Sequence, residues 1–107
     1  MPQPPDSYVY VLIRKDIKHP HQSVQIGHAV LAATNAFGQP YQRHPNLIVC
    51  AVDDEATLAA EFNRLKEQGV PCCAWYEEDF GNALTAVATG LLQGKARRPL
   101  AKYKLLC

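Results

Sequence analysis

The chain has no apolar run approaching the roughly 20 residues of a membrane-spanning helix, so nothing in it reads as a helical anchor. Its opening residues, Met1-Pro2-Gln3-Pro4-Pro5-Asp6-Ser7, lack the charged and apolar regions of a secretory leader. They read as a disordered lead, and residues 8–107 as one domain. Four cysteines are present, Cys50, Cys72, Cys73 and Cys107, and no two stand in C-x-x-C spacing. A zinc or thioredoxin-like site is therefore poorly supported. Cys50 and the Cys72–Cys73 pair lie in apolar runs, where a thiol behaves as a small hydrophobe. Free thiols and a cytoplasmic location are expected. A strong charge of one sign is also missing, since the formal net charge is +1. No repeat, linker or second domain is visible, and 107 residues suffice for a single core.

What is there is an alternation of buried strands and amphipathic helices. Tyr8-Val9-Tyr10-Val11-Leu12-Ile13 is continuous, β-branched and aromatic, as in a strand buried on both faces. A helix follows from about Pro20 to Phe37, with Pro20 suiting its first turn and Gly38 its end. A polar loop, Gly38 to Pro45, leads to a second strand, Leu47–Val52. Asp53 or Asp54 caps a second helix whose Leu58, Phe62 and Leu65 face inward, and Gly69 ends it. Val70–Tyr76 is a third strand with Pro71 at its start. After the loop Glu77–Asn82, a fourth strand covers Ala83 to about Ala88. A short helix around Arg98–Lys102 and an extended tail close the chain.

The order β-α-β-α-β-β predicts a single three-layer α/β domain with helices on both faces of a four-stranded mixed sheet. Helical crossovers make the first three strands parallel neighbours, and the short last connection makes the fourth antiparallel. The exits of strands one and three then share one side of the sheet, where open α/β sheets bind ligands. Lys15, Asp16, the first helix start, Glu77, Asp79 and Thr85 should face that crevice. At about 100° per residue, His21, Gln25 and His28 fall on one narrow edge of the first helix. Gly27, Val30, Ile26, Ala33 and Phe37 occupy the opposite arc, and Val24 and Leu31 flank the polar stripe. Imidazole, carboxylate, hydroxyl and ammonium converging on a helix start suit ester or amide hydrolysis by an activated water. Two basic clusters, Arg14-Lys15-Lys18 and Lys95, Arg97, Arg98, Lys102, Lys104, can grip phosphates locally on a nearly neutral protein. Trp75, in an apolar strand, reads as core.

These motifs resemble the type 2 peptidyl-tRNA hydrolases over nearly the whole chain. Arg14-Lys15-Asp16-Ile17, Gln25-Ile26-Gly27-His28-Ala29 and Tyr103-Lys104-Leu105-Leu106 carry the likeness. Trp75-Tyr76-Glu77 and Asn82-Ala83-Leu84-Thr85 are similar to the branch termed "peptidyl-tRNA hydrolase domain-containing". The sequence departs from the main family in a turn two residues shorter, in Pro20-His21 where that family has Gly-Lys, and in the loop after strand three. The resemblance implies hydrolysis of the ester between peptide and tRNA, with His28 or His21 as base, steadied by Glu77 or Asp79. Gln25 belongs to the same set, and Thr85 and helix-start N–H groups would hold the oxyanion. Arg14, Lys15, Lys18, Lys95, Arg97 and Arg98 would hold tRNA phosphates, and Asp16 and Asn82 would shape the site. No cofactor is implied, and no metal, since His21 and His28 are not the i, i+4 pair of a helical zinc site. The resemblance also implies a homodimer and no membrane partner. The rival reading is a non-catalytic RNA- or protein-binding module on the same fold.

Overall fold

The computed structural model of the chain describes residues 6–38 and 44–107. Most of the expected disordered lead, residues 1–5, and residues 39–43 of the polar loop lie outside the described residues. Ser7, placed in the lead by its sequence, is buried, and its carbonyl accepts the Asn46 backbone N–H at 2.8 Å.

The elements follow in the order β1 (Tyr8–Arg14), α1 (His21–Phe37), β2 (Asn46–Val52), α2 (Glu55–Glu67), β3 (Cys72–Glu77), β4 (Ala83–Thr89) and β5 (Lys104–Leu105). One-turn and two-turn 3₁₀ segments, Glu78–Phe80 and Gly94–Leu100, flank β4. The second begins earlier than the short helix expected around Arg98–Lys102. Asp54 caps α2 by accepting the Thr57 N–H at 2.8 Å, with Glu55 in the first turn and Arg64 and Lys66 in the last. That charge order favours the helix dipole.

The sheet corrects the predicted topology. Among the described residues it has five strands in the order β3-β4-β1-β2-β5, and β1–β2 is the one parallel pair. β4 lies between β1 and β3, antiparallel to both. The composition explains the insertion. Leu84–Thr89 are all buried, and a strand of small and branched residues enclosed on both faces belongs in a sheet centre. β3 follows Pro71 and carries a half-exposed Tyr76, which suits an edge. The fifth strand, unforeseen, comes from the tail, where Lys104 and Leu105 pair with Ala51 and Cys50. Two antiparallel steps restore direction, so β3 still exits on the same side as β1.

Side-chain alternation along β1 separates the layers. Tyr10 and Leu12 pack with Leu58 and Leu65 of α2, whereas Val11 and Ile13 pack with Ala29 and Ala33 of α1. The two helices therefore lie on opposite faces.

One polar cluster fastens the C-terminal segment to α2. Glu61 Oε1 accepts Tyr103 Oη at 2.6 Å, and lies 2.9 Å from Lys102 Nζ and 3.1 Å from Arg64 Nε. Arg64 Nη2 also donates to the Pro99 carbonyl at 2.8 Å. Burial alone would raise the Glu61 carboxyl, but these three donors outweigh it and bring it down to about 2. Because the folded value lies below the ordinary 4.5, the stabilisation is full above that pH and is lost as pH falls towards about 2. Glu61→Gln should cost about 1–2 kcal/mol at neutral pH, after allowing for solvent screening, or about 5–10 °C in Tm. Melting curves taken from neutral pH to acid should show the difference from the parent chain shrinking below the ordinary carboxylate range.

Candidate functional site

Gln25 is the only side-chain amide among the described residues enclosed to 2% exposure, at the centre of the face that α1 turns to the sheet. The inward residues are Gln25, Ala29 and Ala33, while Val24 and Leu31 are exposed. The polar stripe is therefore not a solvated helix edge. Its middle residue is buried, and His21 and His28 lie along the flank nearest β3.

A buried amide requires partners for both ends. Gln25 Nε2 donates to Glu77 Oε1 at 2.9 Å, and Thr85 Oγ1 donates to Gln25 Oε1 at 2.8 Å. An ionised carboxylate can only accept, so the amide orientation is fixed by chemistry. The relay Thr85–Gln25–Glu77 joins β4, α1 and the end of β3 in one line.

A β-bulge makes the relay possible. The β3–β4 ladder pairs Trp75 with Ala86 and then Tyr76 with Leu84, leaving Thr85 without an opposite residue. Strict alternation would send Thr85 to the α2 face. With the extra residue, Thr85 and Ala86 both turn to α1, and Leu84 joins the α2-side core. Bulges often redirect a side chain in this way. Beside the bulge, side chains hold the Leu84 backbone: its N–H donates to Glu55 Oε2 at 2.8 Å, and its carbonyl accepts Arg14 Nη1 at 3.0 Å.

Glu77 is the carboxylate at the site. Alternation after Cys73 and Trp75 turns it to the α1 face. The Gln25 hydrogen bond is the chief reason its carboxyl lies below the ordinary carboxylate value; burial opposes this, and the Asp79 backbone N–H and the nearby His28 reinforce it. His28 Nε2 lies 3.9 Å from Glu77 Oε1, an electrostatic approach beyond hydrogen-bond length. The imidazole is stacked on Trp75, with centroids 4.5 Å apart and planes within 10°. Trp75 thus does more than fill the core. Its Nε1 is buried and completes no hydrogen bond among the described residues, although the indole helps to depress the Glu77 carboxyl.

The remaining expected site residues divide clearly. His21 is exposed and meets Phe80 edge-on, with centroids 5.7 Å apart. The Asp79 side chain is exposed in the 3₁₀ turn. Asn82 adopts left-handed backbone, φ 61°, and its N–H returns to the Glu77 carbonyl at 2.9 Å. Asparagine tolerates this conformation, so Asn82 closes the turn that presents Glu77. Thr85, expected to hold an oxyanion, is fully buried, and its hydroxyl is directed at Gln25. Arg14 grips Asp16 with two bonds of 2.9 Å while also holding β4. Its fork is occupied in fastening the β1–α1 turn. Lys15 is exposed and pairs with Asp53 at 2.8 Å, and Lys18 is exposed in the same turn. Lys95, Arg97 and Arg98 belong to the 3₁₀ segment on the α2 side of the sheet, away from the relay. There Arg97 Nε donates to Tyr10 Oη at 2.9 Å, and the guanidinium carbon lies 3.4 Å from the Tyr8 ring centroid.

Pro20 precedes α1 without a side-chain cap, and no acidic residue occupies the first turn. No helix among the described residues is long and apolar enough to cross a membrane.

No protein-family model and no curated sequence matches the chain. Among solved structures, a protein of unknown function from Agrobacterium tumefaciens is similar, with a TM-score of 0.70 at 16% identity. The match covers 95% of this chain and 98% of that one. At that identity the likeness establishes the shared fold.

Proposed function

We propose that the chain is a peptidyl-tRNA hydrolase-like enzyme that cleaves the ester between peptide and tRNA with an activated water and without a metal. The observation carrying this reading is the Thr85–Gln25–Glu77 relay, which holds a carboxylate 3.9 Å from His28, about two turns along α1 from its uncapped start. In the proposed cycle, His28 takes a proton from water as the water oxygen attacks the ester carbonyl. Glu77, kept ionised by Gln25, steadies the imidazolium that forms. Collapse breaks the bond to the ribose oxygen, and His28 returns its proton to that leaving oxygen. Lys15 and Lys18, beside the same helix start, meet tRNA phosphates. Lys95, Arg97 and Arg98, on the other face of the sheet, meet a different stretch of RNA or none.

One observation favours the rival, a binding module: the Gln25 amide and the Thr85 hydroxyl are both consumed within the protein. The two readings separate with tRNA carrying an N-blocked amino acid. Release of free tRNA that is lost in His28→Ala and kept in His21→Ala supports the enzyme. Intact tRNA binding with no release by the parent chain supports the module. The cationic turn is checked separately by the salt dependence of tRNA binding. Lys18→Ala should reduce the slope of log K against log salt by about 1, and a slope equal to that of the parent chain removes Lys18 from the interface.

A further inference from the structure

On the α2 side, away from the relay, a cavity of about 350 Å³ opens between the 94–101 segment and the outer part of the sheet. Its walls are apolar and aromatic: Tyr10, Ile48, Leu100 and Leu105. Arg97 and Arg98 stand among its lining residues.

The cations are the informative feature. Two other arginines of the chain are met by carboxylates, Arg14 by Asp16 and Arg64 by Glu61. Arg97 has instead a tyrosine hydroxyl and two tyrosine rings, the nearer at 3.4 Å and the farther at 5.9 Å. Neither Arg97 nor Arg98 has a carboxylate within ion-pair distance in the described part of the chain. Stacking fixes the Arg97 fork in place, so little freedom is lost when an anion arrives. A planar fork matches phosphate oxygens in pairs. The cavity volume lies at the small end of the range for ligand sites, enough for one base with its sugar and too small for a duplex.

We propose that this cavity binds a single nucleotide unit, its base against the apolar walls and its phosphate held by Arg97 and Arg98. The ligand is a free mononucleotide or the end of a single RNA strand; both present the same base, sugar and phosphate. The site is independent of the α1-face reading and requires no hydrolysis.

The test is calorimetric titration of the full chain with adenosine 5′-monophosphate, adenosine and inorganic phosphate separately. Saturable binding of the nucleotide is expected below about 1 mM, with adenosine and phosphate each about tenfold weaker or more. Arg98→Ala should weaken nucleotide binding about tenfold without moving Tm, because Arg98 is exposed. Arg97→Ala should weaken it further, and Arg97→Lys should recover only part of the loss, since an ammonium lacks the fork. Glu77→Gln should bind the nucleotide as the parent chain does, which separates this site from the relay. A short single-stranded RNA displaced by the mononucleotide identifies a strand end as the ligand; mononucleotide binding without RNA binding identifies the free form. Absence of saturation in this range, or unchanged affinity in folded Arg98→Ala and Arg97→Ala chains, overturns the proposal.

Discussion

His28→Ala is expected to lower the rate of ester hydrolysis by about 10²–10⁴-fold, the usual contribution of a positioned acid–base group. The expectation rests on three contacts. The ring is stacked flat on Trp75, its Nε2 lies 3.9 Å from Glu77, and Glu77 is in turn tied to Gln25. Each removes a freedom that a general base would otherwise have to lose during reaction. His21 is exposed and meets Phe80 edge-on among the described residues, so His21→Ala should leave the rate close to that of the parent chain. The pH profile provides an independent check. Because Glu77 is held below the ordinary carboxylate value, it stays ionised through neutral pH and should produce no loss of rate until well into acid. Gln25→Ala removes the chief cause of that depression and should raise the Glu77 carboxyl towards the ordinary carboxylate value, which NMR titration of the side chain measures. An unchanged rate in His28→Ala, measured with N-blocked aminoacyl-tRNA, removes the imidazole from the mechanism.

Gln25→Ala should also be among the more destabilising single changes in the chain, costing about 2–4 kcal/mol. Two penalties combine. A side chain enclosed to 2% exposure is truncated, leaving a cavity between α1 and the sheet. The buried Thr85 hydroxyl also loses its 2.8 Å acceptor and falls back on the Trp75 carbonyl at 3.4 Å. Urea unfolding measures the loss. Gln25→Glu distinguishes packing from chemistry, since it keeps the volume but sets a second carboxylate against Glu77. That variant should be destabilised at neutral pH and recover in part as acid protonates the pair. Equal stability of Gln25→Ala and the parent chain would show that the relay contributes nothing to the fold.

The local elements were well marked in the sequence. The helix expected from Pro20 to Phe37 runs from His21 to Phe37, because proline at its start and glycine beyond its end are chemical signals that need no partner. The inward Leu58 and Leu65 of α2 were legible for a similar reason: polar residues occupy the rest of that helix. α1 was harder. Ile26, Val30 and Ala33 of the expected apolar arc do pack on the core, but Gly27 and Phe37 are exposed and the polar Gln25 is buried, so periodicity gave the inward face only in part. Strand order was not legible, because alternation along a strand shows burial but not which neighbour provides it. The choice between Glu77 and Asp79 was within reach. Continuing the alternation of Cys73 and Trp75 places Glu77 on the α1 face, whereas Asp79 lies beyond the strand. The role of Thr85 was out of reach, since it depends on a single skipped pairing between two strands.

That skipped pairing makes the relay separable from the scaffold. A chain one residue shorter at Thr85 could zip its hairpin into an uninterrupted ladder and keep both cores, yet nothing would then reach across to the α1 amide. The same architecture can thus be inherited with the relay present or erased by one codon, and likeness of overall shape says little about which version a relative has kept.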